Sequence, residues 1–392
     1  MDLITHIQNK ASELLPEVIK IRRDLHMHPE LSFQEEQTSR YITEVLSRAG
    51  INYATGYGGH GIVATIKGKT DKVIALRADM DALPIEEQND VSYKSQNPGV
   101  MHACGHDVHT ACLLGAALIL NNIKDALPCS VRLIFQPGEE KLPGGASLMI
   151  RDGVLQDPTP EGIIGQHVYP PLEAGKVGIR SGLYMASSDE IYIIVSGNGG
   201  HGAMPHLCTD SILAASQMIV AMQQLVARNI PPTIPAVLTF GKINSIGGAT
   251  NVIPSEVKIE GTFRTMNEEW REKAHRLIEK IAKETTSAYG ASAEVNIVKG
   301  YPSLINDEKL TSKTRQMMET YLGKENVIDL DMRMTSEDFA YYSQEIPAVF
   351  YRLGTGNKAR GITSPVHTPT FDIDEIALET GMGLLAWLAV QA

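Results

Sequence analysis

The chain has 392 residues, too many for one ordinary core, so two domains are expected. A formal net charge of -11 excludes a nucleic-acid binder, which needs clustered Lys and Arg, and no apolar run approaches the roughly 20 residues of a membrane helix. Residues 1–16 carry no signal-peptide core, and Cys104, Cys112, Cys129 and Cys208 form no CxxC pair, so the chain reads as a cytoplasmic protein without a disulfide framework.

In chain order, residues 3–49 read as helical with a break at His28-Pro29-Glu30, since the residue before a proline avoids helix. Gly56, Gly58 and Gly61 fit G-x-G-x-x-G, but a strand-like run (Ile62 to Ile66) follows where a dinucleotide site needs a helix, so a hairpin is expected. Residues 73–79, 131–135 and 162–168 are buried-strand patterns that end in polar groups. They deliver Asp79 and Asp81, then Glu139 and Glu140, then His167, at strand ends where open α/β sheets place their sites. Helical stretches at 110–123 and 145–152 separate them, which predicts an α/β domain with a mixed, largely parallel central sheet and flanking helices.

After Gly182 the texture changes. Strands are expected at 190–196, 236–243, 256–265 and 294–298, with helices at 209–228 and 267–289, the second opened by Asn267 as N-cap. The order β-α-β-β-α-β is that of a ferredoxin-like unit. From Tyr301 the α/β pattern returns, with a helix at 309–322, a strand at 348–353 and a closing helix at 376–391. The expected division is 1–182 and 299–392 for one domain, with 183–298 inserted into it.

The chemistry concentrates at Met101-His102-Ala103-Cys104-Gly105-His106-Asp107-Val108-His109. A dense donor segment joined by distant single residues (Glu139, Glu140, His167, His367) is the form of a catalytic metal centre; a structural zinc site would show two close ligand pairs. Thiolate, imidazole and carboxylate together suit zinc, with cobalt, nickel or manganese also compatible. Metal-assisted hydrolysis needs one carboxylate as ligand and another as general base, and Glu139 with Glu140 can supply one of each. Singly, each residue has a plain explanation: Cys104 as a small buried hydrophobe, the glutamates as a solvated turn, His201, Asn251 and Arg264 as loop and strand-end polar groups. A cysteine nucleophile at Cys104 is a competing mechanism, one that leaves the surplus His and Glu without a role.

Together, Arg77-Ala78-Asp79-Met80-Asp81-Ala82-Leu83-Pro84, the Cys104 segment, Gln136-Pro137-Gly138-Glu139-Glu140, Gly200-His201-Gly202-Ala203-Met204-Pro205-His206, Ser336-Glu337-Asp338-Phe339 and His367-Thr368-Pro369 resemble the di-metal amidohydrolases. That family includes hippurate hydrolase, N-acetyldiaminopimelate deacetylase and the auxin-conjugate hydrolases, and is related to aminoacylase and glutamate carboxypeptidase. The resemblance implies two divalent ions, zinc first. Cys104 would bridge them, His106 and His167 complete one, and Glu140 and His367 the other. It makes Glu139 the general base and Asp79 a support for a metal-site histidine. His201 becomes an oxyanion stabiliser acting from a partner subunit, and Asn251 and Arg264 the grip on a substrate carboxylate. It also implies a homodimer formed through the inserted domain, and hydrolysis of N-acyl-L-amino acids by a metal-activated water, with a carboxypeptidase or dipeptidase as the alternative. Gly138 departs from the family pattern, where many relatives have alanine.

Overall fold

In the computed structural model, which describes residues 2–247 and 249–391, the chain forms two compact units. Unit 1 comprises residues 1–184, 305–332 and 338–392; unit 2 comprises 185–304 and 333–337.

Unit 1 begins with α1 (Leu3–Met27), capped where Asp2 accepts the Thr5 N–H at 2.8 Å. It buries Ile7, Ala11, Val18, Ile21 and Leu25, the spacing of one helical face, and stops before Pro29. Then come α2 (Glu36–Arg48) and the hairpin β1 (Asn52–Tyr57) and β2 (Gly61–Ile66), in the place of the glycine-rich motif. The remaining elements are β3 (Val73–Asp79), α3 (His106–Asn122), β4 (Ser130–Gln136), α4 (Gly145–Arg151), β5 (Gly162–Glu173) and β6 (Val177–Ile179). The short strands β7 (Gly182–Met185) and β14 (Leu304–Asn306) fall where the chain passes between units, and α7 (Glu308–Leu322), β15 (Val327–Asp329), α8 (Ala340–Glu345), β16 (Ala348–Gly356) and α9 (Ala377–Gln391) complete the unit.

The main sheet has the order β1-β2-β4-β3-β5-β16-β6-β15. Its centre, β4, β3, β5 and β16, is parallel, while β1, β2 and the β16–β6 pair are antiparallel, so the sheet is mixed. Every residue of β3 and β16 is buried, as expected for strands covered on both faces. The core packs α1, α3 and α9 over the sheet, with Leu76, Leu114, Leu120, Ile164 and Leu385 fully buried. The parallel centre brings the polar ends of β3, β4 and β5 to one edge.

Unit 2 contains β8 (Asp189–Ser196), β9 (Gly200–His201), α5 (Ser211–Met222), β10 (Ala236–Ile246), β11 (Val252–Ile253), β12 (Glu256–Thr265), α6 (Glu268–Ala288) and β13 (Ser292–Lys299). Its sheet runs β10-β12-β8-β13, all antiparallel. Alternate residues of β8 (Ile191, Ile193, Val195) enter its core. Asn267 caps α6 by accepting the Trp270 N–H at 2.8 Å.

Three expectations differ. The helix expected at 209–228 ends at Met222 and is followed by a wider π turn, Leu225–Asn229, which buries Leu225. The helix expected from 110 begins at His106. The return at 333–337 to unit 2 was not anticipated. Backbone bonds hold it there, Ala186 N–H reaching the Arg333 and Thr335 carbonyls at 3.1 Å, and no side-chain pattern announces such bonds.

Candidate metal centre

The site in unit 1 starts from a glycine. Gly105 caps α3 with φ +79°, and a Cβ there would lie 2.6 Å from Val168 Cγ2, so only glycine fits. Its carbonyl accepts the Val108 and His109 N–H groups at 2.9 and 3.1 Å, so the helix starts at His106. Cys104 precedes the turn, and His106 and His109 stand one helical turn apart with ring centroids 5.4 Å apart.

The other donors arrive from separate elements. Cys104 Sγ is 3.4 Å from His167 Nε2 on β5 and 3.2 Å from His367 Nε2. Glu140 Oε1 lies 3.3 Å from His367 Nε2 and 4.0 Å from His106 Nε2. The donors form two overlapping sets, Cys104–His106–His167 and Cys104–Glu140–His367, each with its ligand atoms within 4.8 Å of one another and both sharing the Cys104 sulfur. His367 has a left-handed backbone, φ +63°, and its N–H is anchored on the Ala103 carbonyl at 2.8 Å.

Hydrogen bonds fix which nitrogen of each ring faces the centre. Asp81 Oδ1 holds His106 Nδ1 at 3.1 Å and the Val168 carbonyl accepts His167 Nδ1–H at 2.8 Å, so both rings present Nε2. His106 Nε2 and Glu140 Oε1 are buried with no hydrogen-bond partner among the described residues, which is what a cation's ligands look like without the cation. His109 also lies within reach of Asp79 and His106, but both its nitrogens are used: Nδ1 bonds Asp79 Oδ1 at 2.5 Å and Nε2 accepts the Val168 N–H at 2.8 Å. That excludes it as a ligand in this arrangement.

The electrostatics favour positive charge here. Burial alone would lower the His106 pKa, but Asp79, Asp81 and Glu140 push it up to about 10. Burial, then Glu140, Glu139 and Asp79, hold the Cys104 thiol well above its ordinary value. Such a thiol is a poor nucleophile by itself, which weighs against the cysteine mechanism; a bound cation would make it a thiolate. Burial keeps His167 neutral and ligand-ready, with Arg352 and His109 acting in the same direction. The donor set, the orphaned ligand atoms and the negative field all fit a pair of divalent cations.

Glu139 is buried, its Oε1 is 3.4 Å from the Asp338 N–H, and it groups with His106 and Glu140 in a further donor set with ligand atoms within 4.8 Å of one another, so it borders the same centre. Asp79 bonds His109 at 2.5 Å and Arg77 at 2.6 Å, and its Oδ2 stays 3.8 Å from His106 Nε2. The carboxylate that orients His106 is therefore Asp81, which also accepts the Glu140 N–H at 3.0 Å. Asp81 carried no assigned role from sequence, and neither did the buried network beneath the site. There Arg77 bonds Gln136 at 2.9 Å and Asp338 at 2.7 Å. The charged end of the β3 strand was the available signal; the partners were not in it. His102 is buried and belongs to neither donor set.

The remaining predicted residues lie in unit 2. Val252 pairs with His201 in the β9–β11 ladder, and Gly202 N–H donates to the Asn251 carbonyl at 2.8 Å, so His201 and Asn251 are neighbours. His201 is exposed, with Nδ1 accepting the Ala203 N–H at 3.1 Å. Arg264, on β12, donates to the Met334 carbonyl at 3.1 Å, and burial lowers its pKa, with no ion pair to an acid among the described residues.

Residues 75–390 match the pattern of peptidase family M20/M25/M40. The chain belongs to this family. It is 42% identical over 369 residues to N-acetyl-L-cysteine deacetylase of Bacillus subtilis, covering 94% of this chain and 86% of that one. It is 38% identical over 395 residues to thermostable carboxypeptidase 2 of Saccharolobus solfataricus, covering 100% and 99%. Among solved structures, the YXEP protein of Bacillus subtilis, a dinuclear metal binding peptidase from family M20, superposes with a TM-score of 0.83 at 36% identity, covering 97% of this chain and 98% of that one. As an M20 member the chain is a metal-dependent hydrolase of the amidohydrolase and peptidase type.

Proposed function

We infer that this M20 hydrolase cleaves the amide bond of N-acyl-L-amino acids, releasing a carboxylate and a free amino acid. The observation that carries the reading is the convergence of Cys104, His106, Glu140, His167 and His367 beside a second, buried carboxylate, Glu139. Bound there, two divalent ions (zinc first, then manganese, cobalt or nickel) would supply Lewis acidity and lower the pKa of water. Cys104 would serve both positions, His106 and His167 one, Glu140 and His367 the other. Glu139 takes the proton from the attacking water and returns it to the leaving amine. Asp81 keeps His106 in the ligating tautomer, while Asp79 fixes the tautomer of His109, which ligates nothing and braces β5 by accepting the Val168 N–H.

In unit 2, Arg264 has donors and no acidic partner among the described residues, which suits a substrate carboxylate, with Asn251 as its companion. His201 presents its free edge to solvent and serves as an oxyanion donor, contributed by a second subunit. Unit 2 is a ferredoxin-like lid and dimer module in this reading, which its four-stranded sheet, ordered β10-β12-β8-β13, supports. A homodimer through it is supported by exposed apolar side chains on α5 (Leu213, Val220) and on the edge strand β10 (Ile243, Ile246). A cytoplasmic site of action agrees with four cysteines outside any disulfide. No described helix is long and apolar enough to cross a membrane.

A carboxypeptidase or dipeptidase reading is favoured by the Saccharolobus relative. The deciding experiment loads the chain with zinc or manganese and compares N-acetyl, N-benzoyl and N-arylacyl amino acids with dipeptides and with the same acyl amino acids as amides. Preference for acyl amino acids that need a free carboxylate supports the proposal; preference for dipeptides removes it.

A further inference from the structure

The Glu139–Glu140 pair follows a turn that a distant loop shapes. Gly138 has φ +60°, and its carbonyl accepts the Gly145 N–H at 3.0 Å. A Cβ at 138 would overlap the Phe33 ring, 2.7 Å from Cδ1 and nearer still to Cε1 and Cζ. Phe33 itself has φ +65°, a conformation a bulky residue adopts only when its surroundings impose it. Those surroundings include Glu35: one oxygen, Oε1, accepts the Phe33 N–H at 2.9 Å and the Gly138 N–H at 2.8 Å. Glu35 is fully buried, where a carboxyl is costly unless bonded. In the same loop, the Ser32 hydroxyl donates to Asp81 Oδ2 at 2.6 Å, the oxygen that also accepts the Glu140 N–H.

We propose that the loop Ser32–Glu35 is the positioning element of the glutamate pair. Glu35 ties the Gly138 turn to the loop, the Phe33 ring occupies the space a side chain at 138 would need, and Ser32 steadies the aspartate that holds Glu140 and His106. None of the three touches substrate; they act through Glu139 and Glu140. The inference rests on the roles given above to that pair. It is consistent with glycine at 138, since alanine there would require the Phe33 ring to shift.

The test is a mutant cycle read as zinc affinity of the metal-stripped chain and as kcat and KM of the zinc-loaded enzyme. Gly138→Ala should weaken zinc binding by about 10-fold or more, the usual scale for a disturbed support of a metal ligand. It should lower kcat comparably with KM changed little. In a Phe33→Ala background the same substitution should cost several-fold less, because the ring has gone, though the left-handed backbone keeps some of the penalty. Glu35→Gln keeps an acceptor at Oε1 and should stay within a few-fold of wild type, while Glu35→Leu should fall with Gly138→Ala. An equal cost of Gly138→Ala in both backgrounds, or indistinguishable Glu35→Gln and Glu35→Leu, overturns the proposal. The Glu35 pair keeps the test sharp if Gly138→Ala fails to fold. Zinc titration needs no substrate, so the positioning result stands or falls even if the wild type hydrolyses none of the amides offered.

Discussion

Glu139 and Glu140 adjoin in sequence and both lie within reach of His106, and the proposed mechanism gives them different work. Glu140 Oε1 lies between the His106 and His367 imidazoles, while Glu139 leans towards the Asp338 N–H. Glu139→Gln should retain wild-type zinc content and lose about 10²- to 10⁴-fold in kcat, the range for removing a general base. Substantial remaining turnover with full metal would move that role to another group. Asp81→Asn should act through the metal: an amide can offer its NH₂ to His106 Nδ1 and invert the tautomer, weakening zinc binding by about 10- to 100-fold. Equilibrium dialysis against zinc measures this, and an unchanged affinity would show that His106 does not depend on Asp81. The donor types and their clustering made the ligand candidates legible in the sequence. Asp81 and Asp79 looked alike there, two acids at a strand end. Only the registration of β3 against α3 decides that one reaches His106 and the other His109.

At the scale of elements, the buried apolar runs of β3, β4, β5 and β16 were readable because strands covered on both faces must be apolar throughout. Short strands such as β6 and β15, three residues each, carry no period to detect. The start of α3 was missed for a related reason: His106, Asp107 and His109 are polar, and the helix there is set by the left-handed Gly105 rather than by apolar spacing. Unit 2 has its own polar keystone. Asp189, at the start of β8, is buried and accepts from Arg271 at 2.6 Å, His275 at 2.7 Å and the Gly300 N–H at 3.2 Å, joining β8, α6 and β13. Burial alone would raise its pKa, but the bonds from His275 and Arg271 outweigh this and hold it below its ordinary value of 3.8. The sign follows. A depressed carboxylate pKa adds stability that is present above pH 3.8 and lost as the pH falls below it. Asp189→Ala removes one of two carboxylates from the buried Arg271, Glu268 remaining at 2.9 Å, and should destabilise unit 2 by about 3 kcal/mol, the low end for breaking a buried pair. Urea unfolding followed by Trp270 fluorescence in a Trp387→Phe background tests it. A loss under about 1 kcal/mol would mean that Glu268 and the Ser188 and Gly300 carbonyls suffice for Arg271.

For the molecule as a whole, the sequence placed domain crossings at 182 and 298, whereas the units exchange at 184/185 and 304/305, and again around 333–337. Texture changes signal where a different kind of sheet begins; backbone ties such as those at Arg333 and Thr335 leave no mark on composition. The choice between deacylase and carboxypeptidase was equally illegible, because the donor residues suit hydrolysis of either amide and relatives of both names match the chain. Chelation should abolish hydrolysis whichever substrate is correct, and added zinc, manganese, cobalt or nickel should restore it to different degrees. Activity that survives exhaustive chelation would sink the metal mechanism.

His367 differs from the other four donors. Its side chain is 52% exposed, its backbone is left-handed, and the loop carrying it follows no regular element. A non-glycine residue in that conformation costs about 1–2 kcal/mol, and under the proposed ligation a bound ion would offset it. Emptying the site should therefore loosen this stretch before anything else in unit 1, with amide deuteration quickening at residues 366–368 while α3 stays protected. The ion served by His367 would then be the first to leave and the last to load, so a preparation short of metal would hold half-filled molecules rather than a mixture of full and empty ones.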